Sequence, residues 1–322
     1  MIGLDDTVFY TENARNPKNT VLGTFTKPDV KFAGDVITVN RANPANNNIA
    51  VIGGSGSGKT RAFVIPEILR CANRNESFVC VCTESFLCID QYDETKNYLA
   101  ANGYDIRIVN YFDGEDYMSA KITFGNKISK ALDPGNSPRD YVDRTEEYAC
   151  ALIERKTAVF VLINKLNYGN VYVGSKFCSQ LYGDLIKLKG RYILQKDTVS
   201  VNFIFDEFCD LHRLDPVPEY QSFAQMLKQG LCIGIRTYLA IGSVSDIRIR
   251  YERDWKEILE HCRITVFFGC NDDATAKYIS ELSGEYTKDE VLKLPAEKLI
   301  VLAKKCVPIS LYKLDFSCYL FS

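Results

Sequence analysis

Apolar residues fall into short runs that recur at 49–53, 78–82, 106–109, 158–163, 201–205, 232–241, 264–269 and 299–303, several of them hydrophobic on consecutive positions. A strand with one wet face alternates apolar and polar residues. An unbroken apolar run instead fits a strand covered on both faces, as in parallel sheets. Between most of the runs lie stretches of helical period, at 61–72, 93–102, 176–188, 218–229, 254–261 and 273–283. Strand and helix alternating over this length predict an α/β fold with a mainly parallel, doubly wound sheet and ligands at the carboxyl ends of its strands. Pro66 falls inside the first helical stretch; because the apolar spacing continues to Leu69, it predicts a bend and not an end.

Two regions lack this pattern. Residues 1–47 are polar and turn-rich, ending in "NRANPANNN", and read as an irregular lead-in with one hairpin around 31–39. The stretch 113–155 carries turn residues and charge ("LDPGNSPRDYVDR") and reads as a reduced insertion in a domain spanning 48–322, with one short helix over 144–153. No internal repeat and no low-complexity tract interrupts the pattern.

Composition narrows the function classes. The 322 residues carry 39 Lys and Arg against 41 Asp and Glu, a net charge of −2, so the whole molecule has no bulk attraction for nucleic acid and any such contact needs a local basic patch. No apolar run reaches the roughly 18–20 residues of a membrane-spanning helix. The chain begins "MIGLDDTVFY" without an apolar signal segment, and its 12 cysteines include no C-x-x-C pair, which points to a reducing cytoplasm. Cys80 and Cys82, with Cys88 nearby, sit in or beside an apolar strand, and the chain has only two histidines, His212 and His261. Buried hydrophobic cysteine is the reading, and no zinc site is expected.

The chemistry starts at "NIAVIGGSGSGKTRAF", residues 48–63. Gly53 to Thr60 fits G-x-x-x-x-G-K-[ST], the phosphate-binding loop, and it follows an apolar strand and precedes an apolar helix, the context in which backbone amides and a helix N-terminus converge on an anion. Gly53, Gly54, Ser55, Gly56, Ser57, Gly58, Lys59, Thr60 and Arg61 form the expected ATP-binding set, Lys59 reaching the terminal phosphates and Thr60 offering its hydroxyl to Mg2+. The partner feature is an apolar strand ending in carboxylates, and "VNFIFDEF", residues 201–208, provides one. Asp206 is placed to hold the water shell of the metal and Glu207 to activate a water against the γ-phosphate. An adjacent acidic pair favours hydrolysis over transfer to a small molecule, which requires an arginine lid that the sequence does not show.

The segments "NNNIAVIGGSGSGKTRAF", "NGYDIRIVN", "ERKTAVFVLIN", "VNFIFDEFCDL", "CRITVFFGCND" and "ATAKYISELSGE" together resemble, in this order, the TraG/TraD-type coupling proteins of conjugative type IV secretion systems. The resemblance covers roughly 45–112 and 151–314. It implies a RecA-like ATPase domain, a hexameric ring, and transfer of single-stranded DNA with its relaxase toward a membrane channel. By the same resemblance Gly53 to Thr60 bind ATP, Asp206 holds Mg2+ through water, and Glu207 and Lys59 are catalytic.

Three departures accompany it. The family's membrane-spanning amino terminus is absent, which implies a fragment or recruitment by a membrane-anchored partner at the inner face of the cell membrane. Most of the family's helical insertion is missing, only 113–155 remaining. Where the family has an acidic residue, proline and lysine after the second strand, this chain has Cys82, Thr83 and Glu84; where it has a Gln-Ser pair after a later strand, this chain has Gly242 and Ser243. One lost electrostatic donor at a phosphoryl-transfer site costs on the order of 10² to 10³ in rate, so a subunit that binds ATP but scarcely hydrolyses it is the alternative, as is a soluble DNA-packaging ATPase. Arg236 either compensates for a lost donor or snorkels to a sheet edge. Arg248, Arg250 and Arg253 with Tyr251 and Trp255 suit strand backbone and base stacking, and a solvated helix entry equally well.

Overall fold

The computed structural model describes residues 5–14, 17–28, 34–83, 95–111, 142–192 and 198–318. The chain divides into two compact units, one of Met1–Arg74 with Tyr238–Ser322 and one of Asn75–Thr237.

The first unit opens with β1 (Phe9–Asn13), β2 (Val21–Gly23) and β3 (Asp35–Val39), an antiparallel sheet in the order β1-β3-β2. The region read as an irregular lead-in is therefore more ordered than its composition suggests; where a hairpin was expected around 31–39, the described residues form one strand, β3, whose partners β1 and β2 lie earlier in the chain. Two of the three strands bury consecutive side chains despite the polar surroundings. Next comes β4 (Asn48–Ile52), buried at every position, and then the phosphate loop. Thr60–Val64 winds as a π turn before α1 (Ile65–Asn73). The bend expected at Pro66 takes this form for a physical reason. Proline has no N–H for the carbonyl of Ala62 and its ring would press on that carbonyl, so the chain widens by one residue, with the Ile65 N–H bonded to Thr60 O.

The second unit alternates strand and helix. It contains β5 (Ser77–Cys82), α2 (95–101), β6 (Asp105–Tyr111), α3 (Thr145–Glu154), β7 (Thr157–Ile163), α4 (Tyr168–Arg191), β8 (Val201–Asp206) and α5 (Phe223–Cys232). Its strands run parallel in the order β8-β5-β7-β6. β5, β7 and β8 are buried at every position, as their unbroken apolar runs require. Most of the reduced insertion lies outside the described residues; α3 matches the helix expected over 144–153. α4 is longer than its apolar period, beginning at the cap Asn167, whose side chain accepts the Asn170 N–H at 3.2 Å. An aromatic core fills this unit, with Phe203 stacked on Phe205 and Phe78 edge-on to Phe160.

β9 (Ile235–Ile241) carries the chain back to the first unit. The strand expected from 232 begins at Ile235 because α5 runs to Cys232 and Gly234, at φ +79°, unwinds it. The first unit is then completed by α6 (Val244–Arg250), α7 (Trp255–Glu260), β10 (Ile264–Phe267), α8 (Asp273–Ser283), α9 (Lys288–Leu292), β11 (Lys298–Ala303) and β12 (Ile309–Tyr312). β10 lies parallel to β4, with Ile264 opposite Ile49, whereas β11 and β12 add antiparallel strands beyond it. Ile52, Phe267, Ile279, Val291 and Ile300 make the core that ties this sheet to α8 and α9. Among the described residues no helix is long and apolar enough to cross a membrane.

Candidate functional site

The phosphate loop is held by main-chain bonds to both neighbours of β4. The Gly53 N–H donates to Ile241 O at 3.0 Å, at the end of β9, and the Gly54 N–H donates to Gly269 O at 3.0 Å, just beyond β10. Gly53 has no alternative residue: a Cβ there would stand 2.6 Å from Ser57 Oγ and 2.7 Å from Phe268 Cβ. Gly56 and Gly58 adopt φ +73° and +92°, open to glycine, and a Cβ on either would meet nothing within 4 Å. At both positions the loop faces open space. Ser55 lies exposed on the loop.

Lys59 is 3% exposed, and its Nζ donates to Gly53 O at 2.6 Å and to Gly54 O at 3.4 Å. The ammonium is therefore folded onto the loop's own carbonyls, with its charge held at the loop. Arg61, just past Thr60, turns outward and grips Asp315. Gly53 to Arg61 run without a break from the end of β4 into the π turn, and Arg61 is engaged by a carboxylate.

The acidic pair lies in the second unit. Asp206 is the last residue of β8, opposite Cys82 on β5, and is buried. Glu207 sits at φ +58°, ψ +58°, a left-handed conformation costly to a residue with a Cβ. The cause is next in sequence. Phe208 is fully buried, stacked on Phe223 with ring centroids 5.6 Å apart and edge-on to Phe205 at 5.2 Å, so the chain must reverse within one residue to drive that ring inward. Glu207 is left half-buried at the carboxyl end of the strand.

Thr83, noted in the sequence, and two residues that were not singled out gather at the same end of this unit's sheet. Thr83, after β5, donates its hydroxyl to Asp210 Oδ2 at 3.1 Å, and Lys165, after β7, reaches the same oxygen at 3.4 Å. Lys165 thus pairs with a carboxylate 45 residues further along the chain, which no local motif reveals. Glu84 and Cys88 lie outside the described residues.

Other expectations resolve differently. Arg236 pairs with Glu76 at 3.3 Å, and the Asn202 amide donates to the same carboxylate at 3.1 Å. It is a structural ion pair, neither a phosphate donor nor a snorkelling edge residue. Tyr251 is 1% exposed and cannot stack on a base, whereas Arg248 lies exposed with its guanidinium 5.5 Å from the Trp255 ring centroid. Ser243, where the family has the serine of its Gln-Ser pair, caps α6 by accepting the Asp246 N–H at 3.0 Å. Cys80 and Cys82 are buried on one face of β5, their sulfurs 3.7 Å apart, and among the described residues no cluster of His, Cys, Asp and Glu is arranged to hold a metal ion.

Comparisons with known proteins agree with this architecture. Residues 200–293 match the family model described as the TraM recognition site of TraD and TraG, and residues 36–130 match that of the DEAD/DEAH box helicases. No curated protein sequence matches the chain significantly. Among solved structures, the bacterial conjugative coupling protein TrwBdeltaN70 in complex with sulphate superposes with a TM-score of 0.54 at 12% identity, covering 86% of this chain and 88% of that one. The plasmid coupling protein TrwB in complex with ADP and Mg2+ gives 0.53 at 13% identity, covering 87% and 88%. The loop, the strand order and these superpositions lead to one structural conclusion: this chain has the RecA-like P-loop fold of the conjugative coupling proteins, without a membrane-spanning helix among its described residues.

Proposed function

We propose that this protein is an ATP-binding, Mg2+-dependent NTPase of coupling-protein type that drives transfer of DNA, or of a relaxase–DNA complex, in conjugation. The observation that carries the reading is the loop itself: positive-φ glycines facing open space, with the buried Lys59 ammonium folded onto the loop's own carbonyls. This donor set fits a polyphosphate, because main-chain N–H groups at a helix start and one fixed ammonium are what such an anion needs. The TrwB structures with sulphate and with ADP and Mg2+ support it by analogy of fold.

In this reading Gly53 to Gly58 cradle the phosphates, Lys59 neutralises the terminal ones, and Thr60 and Asp206 are the ligands of Mg2+, Asp206 through water. The metal, when bound, withdraws charge from the transferring phosphoryl group. Glu207 orients the attacking water, and its enforced left-handed backbone fixes where that carboxylate starts. The protein works as a homo-oligomeric ring at the inner face of the cell membrane. The direct test is ATP binding and phosphate release by the parent chain and by Lys59→Ala. Equal binding of ATP by the two removes the phosphate-loop assignment.

One observation favours slow turnover. Gly242 offers no side chain at the end of β9 and Ser243 is spent on a helix cap, so neither supplies the γ-phosphate contact of the family's Gln-Ser pair. A parent that binds ATP with no phosphate release above buffer would make this an ATP-gated subunit and not a motor.

A further inference from the structure

Lys313, just after β12, has its ammonium on three main-chain carbonyls. Nζ donates to Ser57 O in the phosphate loop at 2.9 Å, to Phe268 O beyond β10 at 2.9 Å, and to Ala296 O before β11 at 2.7 Å. An ammonium has three donors, and all three are used. The segment Phe268–Gly269 already contacts the loop's strand and first turn, through Phe268 N–H to Ile52 O at 2.7 Å and Gly54 N–H to Gly269 O. Lys313 joins Ser57, further along the loop, to that same segment. Two residues on, Asp315 takes both Nε and Nη2 of Arg61, whose guanidinium lies 4.4 Å from the Phe316 ring centroid. One short segment near the end of the chain therefore holds the loop at its middle and just past its end.

We infer that Lys313 is a positioning residue of the nucleotide site, its ammonium fixing the phosphate loop and adding a second positive charge beside it to attract a polyphosphate. The inference rests on the reading that this loop binds ATP. A purely structural tie would stabilise the fold without affecting affinity, and charge separates the two. Burial pushes the Lys313 ammonium down to about 8, with Glu297 pulling the other way. Of the other charged groups on the elements it touches, Lys59 is bonded to Gly53 O, and Arg61 and Asp315 are bonded to each other. An anion on the loop favours the charged form of Lys313, so binding takes up a proton, and affinity is full below pH 8 and falls as pH rises through it.

The test is titration of a fluorescent ATP analogue into the full chain and into Lys313→Met, Lys313→Arg and Lys59→Ala, from about pH 6.5 to 9.5, alongside thermal melting of each. The expected result is an affinity about tenfold lower for Lys313→Met at neutral pH, with the fall near pH 8 removed, and rescue by Lys313→Arg with the fall moved beyond the range. A parent that binds while Lys313→Met binds equally well, or with the same pH profile, overturns this inference alone. A parent that binds no more analogue than Lys59→Ala overturns the nucleotide reading as well.

Discussion

Asp315 receives Arg61 through two hydrogen bonds, 2.9 Å from Nε and 3.2 Å from Nη2, so a residue seven from the end of the chain is fastened to the residue that follows the phosphate loop. Both side chains keep substantial exposure, 55% for Arg61 and 36% for Asp315, and a pair in that setting contributes about 1 kcal/mol or less to stability. Burial raises the Asp315 carboxyl, but Arg61 and the Ser317 contacts outweigh it and hold it below its usual range, so the latch persists at neutral pH and opens only in acid. Arg61→Ala should melt within a few degrees of the parent yet bind ATP more weakly. Calorimetric melting beside nucleotide titration separates the two effects, and unchanged affinity would make the latch a surface feature only.

Glu67 on α1 is completely buried and accepts from Arg74 at 2.6 Å, Arg41 at 3.1 Å, Tyr238 Oη at 3.0 Å and Thr20 Oγ1 at 3.2 Å. Burial drives the Tyr238 phenol far up, so it stays a neutral donor. Removing the carboxylate charge leaves two guanidinium groups facing each other with little water. Glu67→Gln should therefore cost about 3–5 kcal/mol, measured by urea unfolding. A loss under about 1 kcal/mol would show that the network behaves like an exposed ion pair.

Glu207 separates chemistry from strain. Glu207→Gln should leave ATP binding intact and remove phosphate release, because shape is kept and the carboxylate is lost. Glu207→Gly should also be inactive but no less stable than the parent, since relief of a left-handed cost of about 1–2 kcal/mol offsets the chain entropy that glycine adds to the unfolded state. Phosphate-release assays and melting curves on both variants check this; activity retained in the Gln variant would move the water-directing role elsewhere.

DNA binding should be local and salt-sensitive, given the net charge of −2. Arg248 and Arg253 are exposed near α6 and α7, and Tyr251, between them in sequence, is buried, so contact there is with phosphates and not by tyrosine stacking. Replacing both arginines by Ala should flatten the salt slope for single-stranded DNA by about 1.4, from roughly 0.7 per phosphate contact, with ATP affinity unchanged. A slope equal to the parent's would place the DNA contact on another surface.

What the sequence disclosed was whatever local chemistry determines. The helix at 273–283 was legible because Asp272 caps it, accepting the Thr275 N–H at 2.8 Å, and Gly284 at φ +67° ends it. β5, β7 and β8 were legible because a strand buried on both faces has no polar positions to spare. The phosphate loop was legible because its glycines are required by backbone geometry. Lys313 was not: its partner Ser57 lies 256 residues away, and nothing around "LYKLDF" distinguishes a lysine seated on carbonyls from one in water. Arg236 and Glu76, 160 residues apart, were opaque for the same reason. β1 to β3 escaped because their pairing is set by partners and not by periodicity.

The widened turn at Thr60–Val64 makes Pro66 an angular adjuster for residues more than one helical turn before it. Each residue of an α-helix advances the side chain by about 100°, so a turn that takes up one extra residue sets a rotational phase between the loop and the buried face of α1. An imino acid five positions beyond Arg61 thus decides which way Thr60 and Arg61 face. Pro66→Ala would restore a donor to the carbonyl of Ala62 and let the turn tighten, and the apolar face of α1 could then stay buried only if the two residues after Lys59 swung around the helix axis.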